Sequence, residues 1–198
     1  MERENQRIVI TKRMLKESML RILKEKELDA VSVTELCREA GLNRATFYRH
    51  YEIPRDVLIE IQKDFYYELR SQIDLPRHMG ELRQVIEKLC THMYEHLELL
   101  RILIRSNSDT DFVVLVNDIF VELIREFGHL DAVKELSRED VELLSLYTAG
   151  GSYFVLRSWI LGSIRKSPRE MTDYLTELLE KTRGLLISSL SEPEISAG

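Results

Sequence analysis

This chain is poor in glycine, poorer in proline and nearly devoid of cysteine, with eight, four and two residues among 198. That scarcity, with no run of alternating apolar and polar residues, excludes a sheet protein and points to an all-α one. Cys37 and Cys90 both sit inside apolar helical patterns. Two such thiols exclude a disulfide framework and fit buried free cysteines in a reducing compartment. No segment has the uninterrupted apolar length of a membrane span. The opening stretch MERENQRIVI is charged and lacks the apolar middle of a signal peptide, so a cytoplasmic location away from membranes is expected. The glycines are isolated apart from Gly150 and Gly151, which excludes a phosphate-cradling loop. No Ser-His-Asp or Cys-His arrangement is legible, and neither enzyme activity nor a cofactor is expected. Internal repeats and low-complexity runs are also missing.

What charge there is lies unevenly. The net charge of −6 argues against a generally basic coat for nucleic acid. Up to Tyr51, however, eleven Lys and Arg face eight Asp and Glu, a surplus of three cations, so the remainder carries −9. A mildly basic N-terminal unit on an acidic body suits a protein with one end turned to DNA.

Within that basic unit, residues 32–51 read SVTELCREAGLNRATFYRHY. Ser32 is a natural helix cap, and Glu35 three residues on completes a capping box. Val33, Leu36, Cys37 and Ala40 recur at helical spacing. Gly41 ends this helix where a left-handed residue is needed. Leu42 anchors the turn and Asn43 caps a second helix. That helix offers Arg44, Thr46, Tyr48, Arg49 and His50 to solvent, while Ala45, Phe47 and Tyr51 are expected to pack inward. Two short helices joined this way form a helix-turn-helix, whose second helix enters the DNA major groove. Arg44 at its start is placed to reach guanine O6 and N7. The hydroxyls and imidazole of Thr46, Tyr48 and His50 are of the kind that fix phosphates. Lys12 on the preceding helix and Thr34 on the first helix of the pair are candidates for the flanking backbone, and Asn43 and Arg49 complete the expected DNA-binding set.

The stretch AGLNRATFYRHY resembles the signature of the TetR/AcrR transcriptional regulators: a small residue, Gly, an aliphatic, a capping residue, then Phe-Tyr-x-His-aromatic. The motif resemblance covers residues 11–61. It implies a three-helix DNA-binding domain followed by a helical ligand and dimerisation domain, about nine helices in all. It also implies DNA contacts at Thr34, Arg44, Thr46, Tyr48 and His50. Relatives often carry Ser or Asn and then Lys, the lysine on a phosphate, where this chain has Ile53 and Pro54. Arg55 stands next to that position as a substitute cation, and relatives usually have glycine at Glu27.

The expected division is residues 1–53 for the DNA-binding domain, 54–74 for a connecting helix opened by Pro54, and 75–198 for the effector-binding and dimerisation domain. Thr11 is expected to cap the first helix, whose buried stripe is Leu15, Met19, Ile22 and Leu23. Further helices follow around residues 82–97, 99–105 and 112–127. One opens at Ser137 with Asp140 and runs towards Arg165. The last starts at Ser167, with Pro168 in its first turn and Glu170 closing a capping box.

Residues 147–171, YTAGGSYFVLRSWILGSIRKSPREM, resemble the C-terminal region of a TetR subgroup that includes regulators of dihydroxyacetone-kinase-like operons. In relatives the last two helices pair with their copies as a four-helix bundle, which implies a homodimer here. Gly150 and Gly151 leave room for a close helix, Trp159 offers a large apolar anchor, and Leu175 and Leu179 complete the expected interface. A twofold dimer matches a pseudo-palindromic double-stranded operator. Family members bind a small apolar effector, and the candidate walls are Met93, Tyr94, Leu97, Phe112, Phe120, Tyr147 and Phe154. An aromatic at helical spacing serves equally as plain core, and the subgroup resemblance admits a partner protein as the signal.

The function expected is an effector-responsive repressor. The alternatives are an activator or co-regulator controlled by a partner protein, and a metal-dependent sensor or enzyme. The latter would use His92, Glu95 and His96, which spell H-x-x-E-H on one helix. That pattern needs a third protein ligand and a different fold around it, so no metal is expected.

Overall fold

The structure, a computed structural model, describes residues 2–72, 81–106 and 137–190. Among these residues the chain forms eight α-helices, one 3-10 turn and no strand. The helix expected over 112–127 lies outside the described residues, as do Phe112 and Phe120.

The chain divides into two compact units. The first takes the described residues up to Glu68 together with the segment from Glu98 to Ser106. It begins with α1 (Glu2–Ile22), which runs straight through Thr11. No glycine or proline interrupts residues 2–22, so nothing stops the helix from propagating back past the expected cap. Leu15, Met19, Ile22 and Leu23 are buried as the spacing indicates. A turn and the 3-10 segment Leu28–Ala30 follow, and Glu27 takes an ordinary extended conformation at φ −72°, which does not require glycine.

Next come α2 (Val33–Ala40), α3 (Arg44–Tyr48) and α4 (Pro54–Gln72). Helix α2 packs on both α1 and α3. Leu36, Cys37, Ala40, Phe47, Tyr51, Val57, Leu58, Ile61 and Phe65 are all buried, which fixes the pair of short helices against the flanking long ones. Truncating a buried aromatic such as Phe47 to Ala costs roughly 3–5 kcal/mol. The segment from Glu98 belongs to α6 (Leu97–Ser106), and Lys24 in the turn after α1 reaches its Glu98 at 2.7 Å.

The second unit holds α5 (Leu82–Glu95), α7 (Arg138–Ile160) and α8 (Pro168–Leu190). Helix α8 packs along α5 and beside α7. Its core is Leu82, Val85, Ile86, Leu89 and Met93 from α5, Ala149, Tyr153, Leu156, Trp159 and Ile160 from α7, and Met171 and Leu175 from α8. Arg83 on α5 ties to Asp173 on α8 at 2.6 Å. Burial pushes the Cys90 thiol up to about 11, so this cysteine is an inert core group.

Helix starts follow their capping residues. Ser137 and Asp140 form a reciprocal capping box. Ser167 and Glu170 do the same: the Glu170 amide donates to Ser167 Oγ at 3.3 Å and the Ser167 amide to Glu170 Oε2 at 2.8 Å. Helix α7 stops at Ile160, short of Arg165, because Gly162 at φ +85° turns the chain left-handed and its amide caps the Trp159 carbonyl at 3.0 Å. Among the described residues, no helix is long and apolar enough to cross a membrane.

Candidate nucleic-acid interface

The turn between α2 and α3 is built residue by residue. Ser32 Oγ accepts from the Glu35 amide at 3.2 Å, capping α2. The Glu35 carboxylate also takes the Lys26 ammonium at 2.6 Å, with the Ser32 amide beside it, and the two together hold its carboxyl below the usual range. Gly41 adopts φ +66°, and the Leu42 amide reaches back to the Cys37 carbonyl at 2.9 Å. A side chain in this left-handed conformation costs about 1–2 kcal/mol, so glycine sets the angle between the helices. Asn43 then caps α3 through Oδ1, which accepts from the Thr46 amide at 2.8 Å and from the Thr46 hydroxyl at 2.9 Å.

The Thr46 hydroxyl donates to Asn43, so Thr46 and Asn43 together build the helix start, with Thr46 half-exposed beside the outward face. Phe47 and Tyr51, four residues apart, form the buried side of the reading helix and its exit, with ring centroids 5.8 Å apart. The outward side is Arg44, Ala45, Tyr48 and Arg49, with His50 half-exposed. Ala45 was expected inside. A five-residue helix pinned by Phe47 and Tyr51 has only one inward stripe, and position 45 falls off it. Its exposure between two arginines is the signal that sequence reasoning missed. Thr34 is also exposed, in the first turn of α2.

Arg44 is pre-arranged. Its Nη2 lies 3.5 Å from the Tyr48 hydroxyl and its guanidinium sits 5.9 Å from the Tyr48 ring centroid. His50 is held below its ordinary range, first through partial burial and then through the Lys12 and Arg49 charges.

Two cations near this face are already engaged. The Lys12 ammonium bonds Glu60 Oε2 at 2.8 Å, which ties it to α4. The Arg55 guanidinium turns to Asp29 at 3.3 Å, away from the position where relatives place a lysine. At that position Asp56 Oδ2 accepts from the Glu52 and Ile53 amides at 2.8 and 2.9 Å, so an internal carboxylate caps the start of α4.

In the second unit the predicted residues separate. Met93 is core at 1% exposure, whereas Tyr147 and Phe154 are 70% and 65% exposed, so these three do not line one pocket. Tyr94 stacks on Trp159 at 6.0 Å, and Leu97 is half-buried. The cavity described in this unit is a surface depression of about 250 Å³ on α5, lined by Glu87, Lys88, Thr91, His92 and Glu95, none of them an expected wall. His92 and His96 share a face with ring centroids 4.5 Å apart, and Glu95 points out to solvent. Trp159 and Leu175, expected at an interface between copies, are buried inside the subunit. The Trp159 indole N–H donates to the Lys166 carbonyl at 2.8 Å, closing the α7–α8 turn. Gly151 is exposed, and Gly150 and Leu179 are partly so. A methyl group added at Gly150 or Gly151 would meet no atom within 4 Å among the described residues, so their packing does not account for either glycine.

Residues 18–59 match the bacterial regulatory proteins of the tetR family, and residues 80–181 match the C-terminal region of transcriptional regulators. The chain belongs to the TetR family. It is therefore a DNA-binding transcriptional regulator, with α2 and α3 as its helix-turn-helix. The TetR match takes in the whole outward set from Thr34 to His50. Across 178 residues the chain is 19% identical to an uncharacterized HTH-type transcriptional regulator, YxbF, of Bacillus subtilis (strain 168). That alignment covers 85% of this chain but only 44% of the relative's length. The fold is similar to the fatty acid degradation regulator FadR from Bacillus halodurans, with a TM-score of 0.59 and 18% identity over 92% of this chain and 97% of that one. It is also similar to the dihydroxyacetone kinase operon activator DhaS, with a TM-score of 0.54 and 16% identity over the same shares, 92% and 97%.

Proposed function

We propose that this chain acts in the cytoplasm as an effector-responsive repressor, binding a pseudo-palindromic operator as a homodimer. The observation that carries the DNA arm is the outward set of α3. Arg44, Ala45, Tyr48 and Arg49 are exposed together on a helix fixed from behind by Phe47. In this reading Arg44 takes a guanine edge, and Ala45, with only a methyl group, sits against a thymine methyl. Tyr48, Arg49, His50 and Thr34 hold phosphates and set the register. DNA reading is assigned to residues 1–53, the connection to 54–74, and the effector and dimer functions to 75–198.

The homodimer is supported by α7. Leu143, Leu146, Tyr147 and Phe154 are exposed at i, i+3, i+4 and i+11, with Gly150 and Gly151 between them. The other side of the same helix is already buried, through Ala149, Tyr153, Leu156, Trp159 and Ile160. A large apolar stripe left exposed on a helix whose opposite side is packed is made to be covered. Tyr174 and Leu178, exposed on α8, provide the second helix of a four-helix interface. This surface replaces the one expected around Trp159 and Leu175.

An effector would act by population shift: a small apolar molecule that binds better to a chain pair with another recognition-helix spacing lowers operator affinity, and DNA lowers effector affinity equally. Transcription in a purified system, from a template whose promoter overlaps the operator, tests the regulatory sign. Added chain should reduce transcript. A rise in transcript would replace repression with the activator reading.

A further inference from the structure

A cluster of four charged side chains flanks the reading helix within the first unit. Lys12 Nζ bonds Glu60 Oε2 at 2.8 Å, and Lys16 Nζ bonds Glu60 Oε1 at 2.7 Å and Asp64 Oδ2 at 2.5 Å. Both Glu60 oxygens are thus occupied, each by a different lysine of α1. The side chains of Lys12, Lys16 and Glu60 are only 33%, 20% and 27% exposed, so solvent screens these pairs less than surface ones. The cluster adjoins the reading helix. The Lys12 ammonium lies 5.3 Å from the centroid of the Tyr51 ring, and its charge is felt at His50. The Tyr51 phenol, buried against Glu60, is pushed above its ordinary range first by that burial and then by the carboxylate. The cations on the reading face are treated differently. Among the described residues, Arg44 and Arg49 have no carboxylate partner, and Arg44 is held by a neutral phenol.

From this contrast we infer that Glu60 is a specificity-determining residue of the DNA interface: it neutralises Lys12 and Lys16 inside the protein and leaves the cations of the reading helix, Arg44 and Arg49, for DNA. A free lysine on a DNA-facing flank binds any phosphate and adds about 0.9 to the salt dependence of binding, whatever the sequence. Removing such contacts lowers affinity for random DNA while sparing contacts that need the correct bases. The ratio of operator to random binding rises accordingly.

The inference rests on α3 being the DNA-reading helix, and the test keeps the two apart. Binding of the full-length chain to its operator and to a random-sequence duplex is measured across a salt series, for wild type, Glu60→Gln, Lys12→Gln and the double variant. Wild type should discriminate operator from random duplex. Glu60→Gln should bind random duplex several-fold more tightly, with the salt slope steeper by about one, and should discriminate less. The double variant should return the slope to the wild-type value, since Asp64 still holds Lys16. Lys12→Gln alone, in which Glu60 keeps Lys16, should leave the random-duplex slope unchanged; this variant serves as the test even if Glu60→Gln folds poorly. A slope lowered by about one in Lys12→Gln would mean that Lys12 already contacts phosphate, and would overturn the proposal. So would an unchanged slope and ratio in a folded Glu60→Gln chain that still recognises the operator. A wild-type chain that does not discriminate at all would instead overturn the reading of α3, and this proposal with it.

Discussion

Arg44 sits over the Tyr48 ring, 5.9 Å from its centroid, with Nη2 3.5 Å from the phenol oxygen. The two residues are four apart, one turn of α3, so the helix itself aims the guanidinium. Arg44→Ala should therefore weaken operator binding by roughly 1–3 kcal/mol and relax base preference at one position. Arg44→Lys should not rescue it, because an ammonium lacks the planar fork that meets guanine O6 and N7 together. Competition binding at one stated salt concentration checks this. Wild-type affinity and preference in Arg44→Lys would show that Arg44 acts as a point charge only.

Glu60 gives the chain a pH-dependent stability. Burial alone would raise its carboxyl, but hydrogen bonds from Lys12 and Lys16 outweigh that and hold it down at about 2. A folded-state value below the unfolded one stabilises the fold above the ordinary carboxylate range, and that stabilisation is lost as pH falls towards about 2. The cluster is partly solvated, so after screening the contribution is about 1 kcal/mol. Glu60→Gln should be less stable than wild type by about that amount at neutral pH. The gap should narrow steadily on acidification through the carboxylate range. Urea unfolding of both chains at a series of pH values measures it, and a gap that stays constant in acid would contradict the ion-pair account.

Local signals in the sequence and long-range ones fared differently. Helix starts at Ser32, Asn43, Ser137 and Ser167 were legible because each depends on residues two or three positions away. Gly41 was legible for the same reason. The partners of Lys12 and Lys16 were not, since each pairs with a residue 48 positions away that no spacing rule connects to it. The Lys26 partner of Glu35 was likewise not legible, since it comes from the turn before the helix rather than from the cap. Helix α7 carries large apolar residues on both its buried and its exposed side, so periodicity does not say which face lies inside; that is why the sequence points to Trp159 for an interface and not to Leu143 and Leu146. Gly162 was overlooked as the end of α7 because an apolar run surrounds it.

The exposed stripe of α7 makes a separate prediction. Leu146 and Phe154 are 56% and 65% exposed in the subunit, so charging them leaves the core untouched. Leu146→Glu and Phe154→Glu should dissociate the proposed homodimer, keep monomer stability within about 0.5 kcal/mol, and abolish operator binding at concentrations where wild type is saturated. Sedimentation velocity and thermal unfolding read the two effects separately. A dimer that survives both substitutions would place the interface elsewhere.

The central claim is that this chain reads a twofold DNA sequence through α3, and selection of bound sequences from a random duplex library at fixed salt tests it most directly. The account predicts a pseudo-palindrome whose half-sites lie about one DNA turn or a multiple apart, roughly 34–36 Å per turn, with a guanine in each half-site that loses its preference in Arg44→Ala. Recovery of no motif, with only weak salt-sensitive binding, would contradict it.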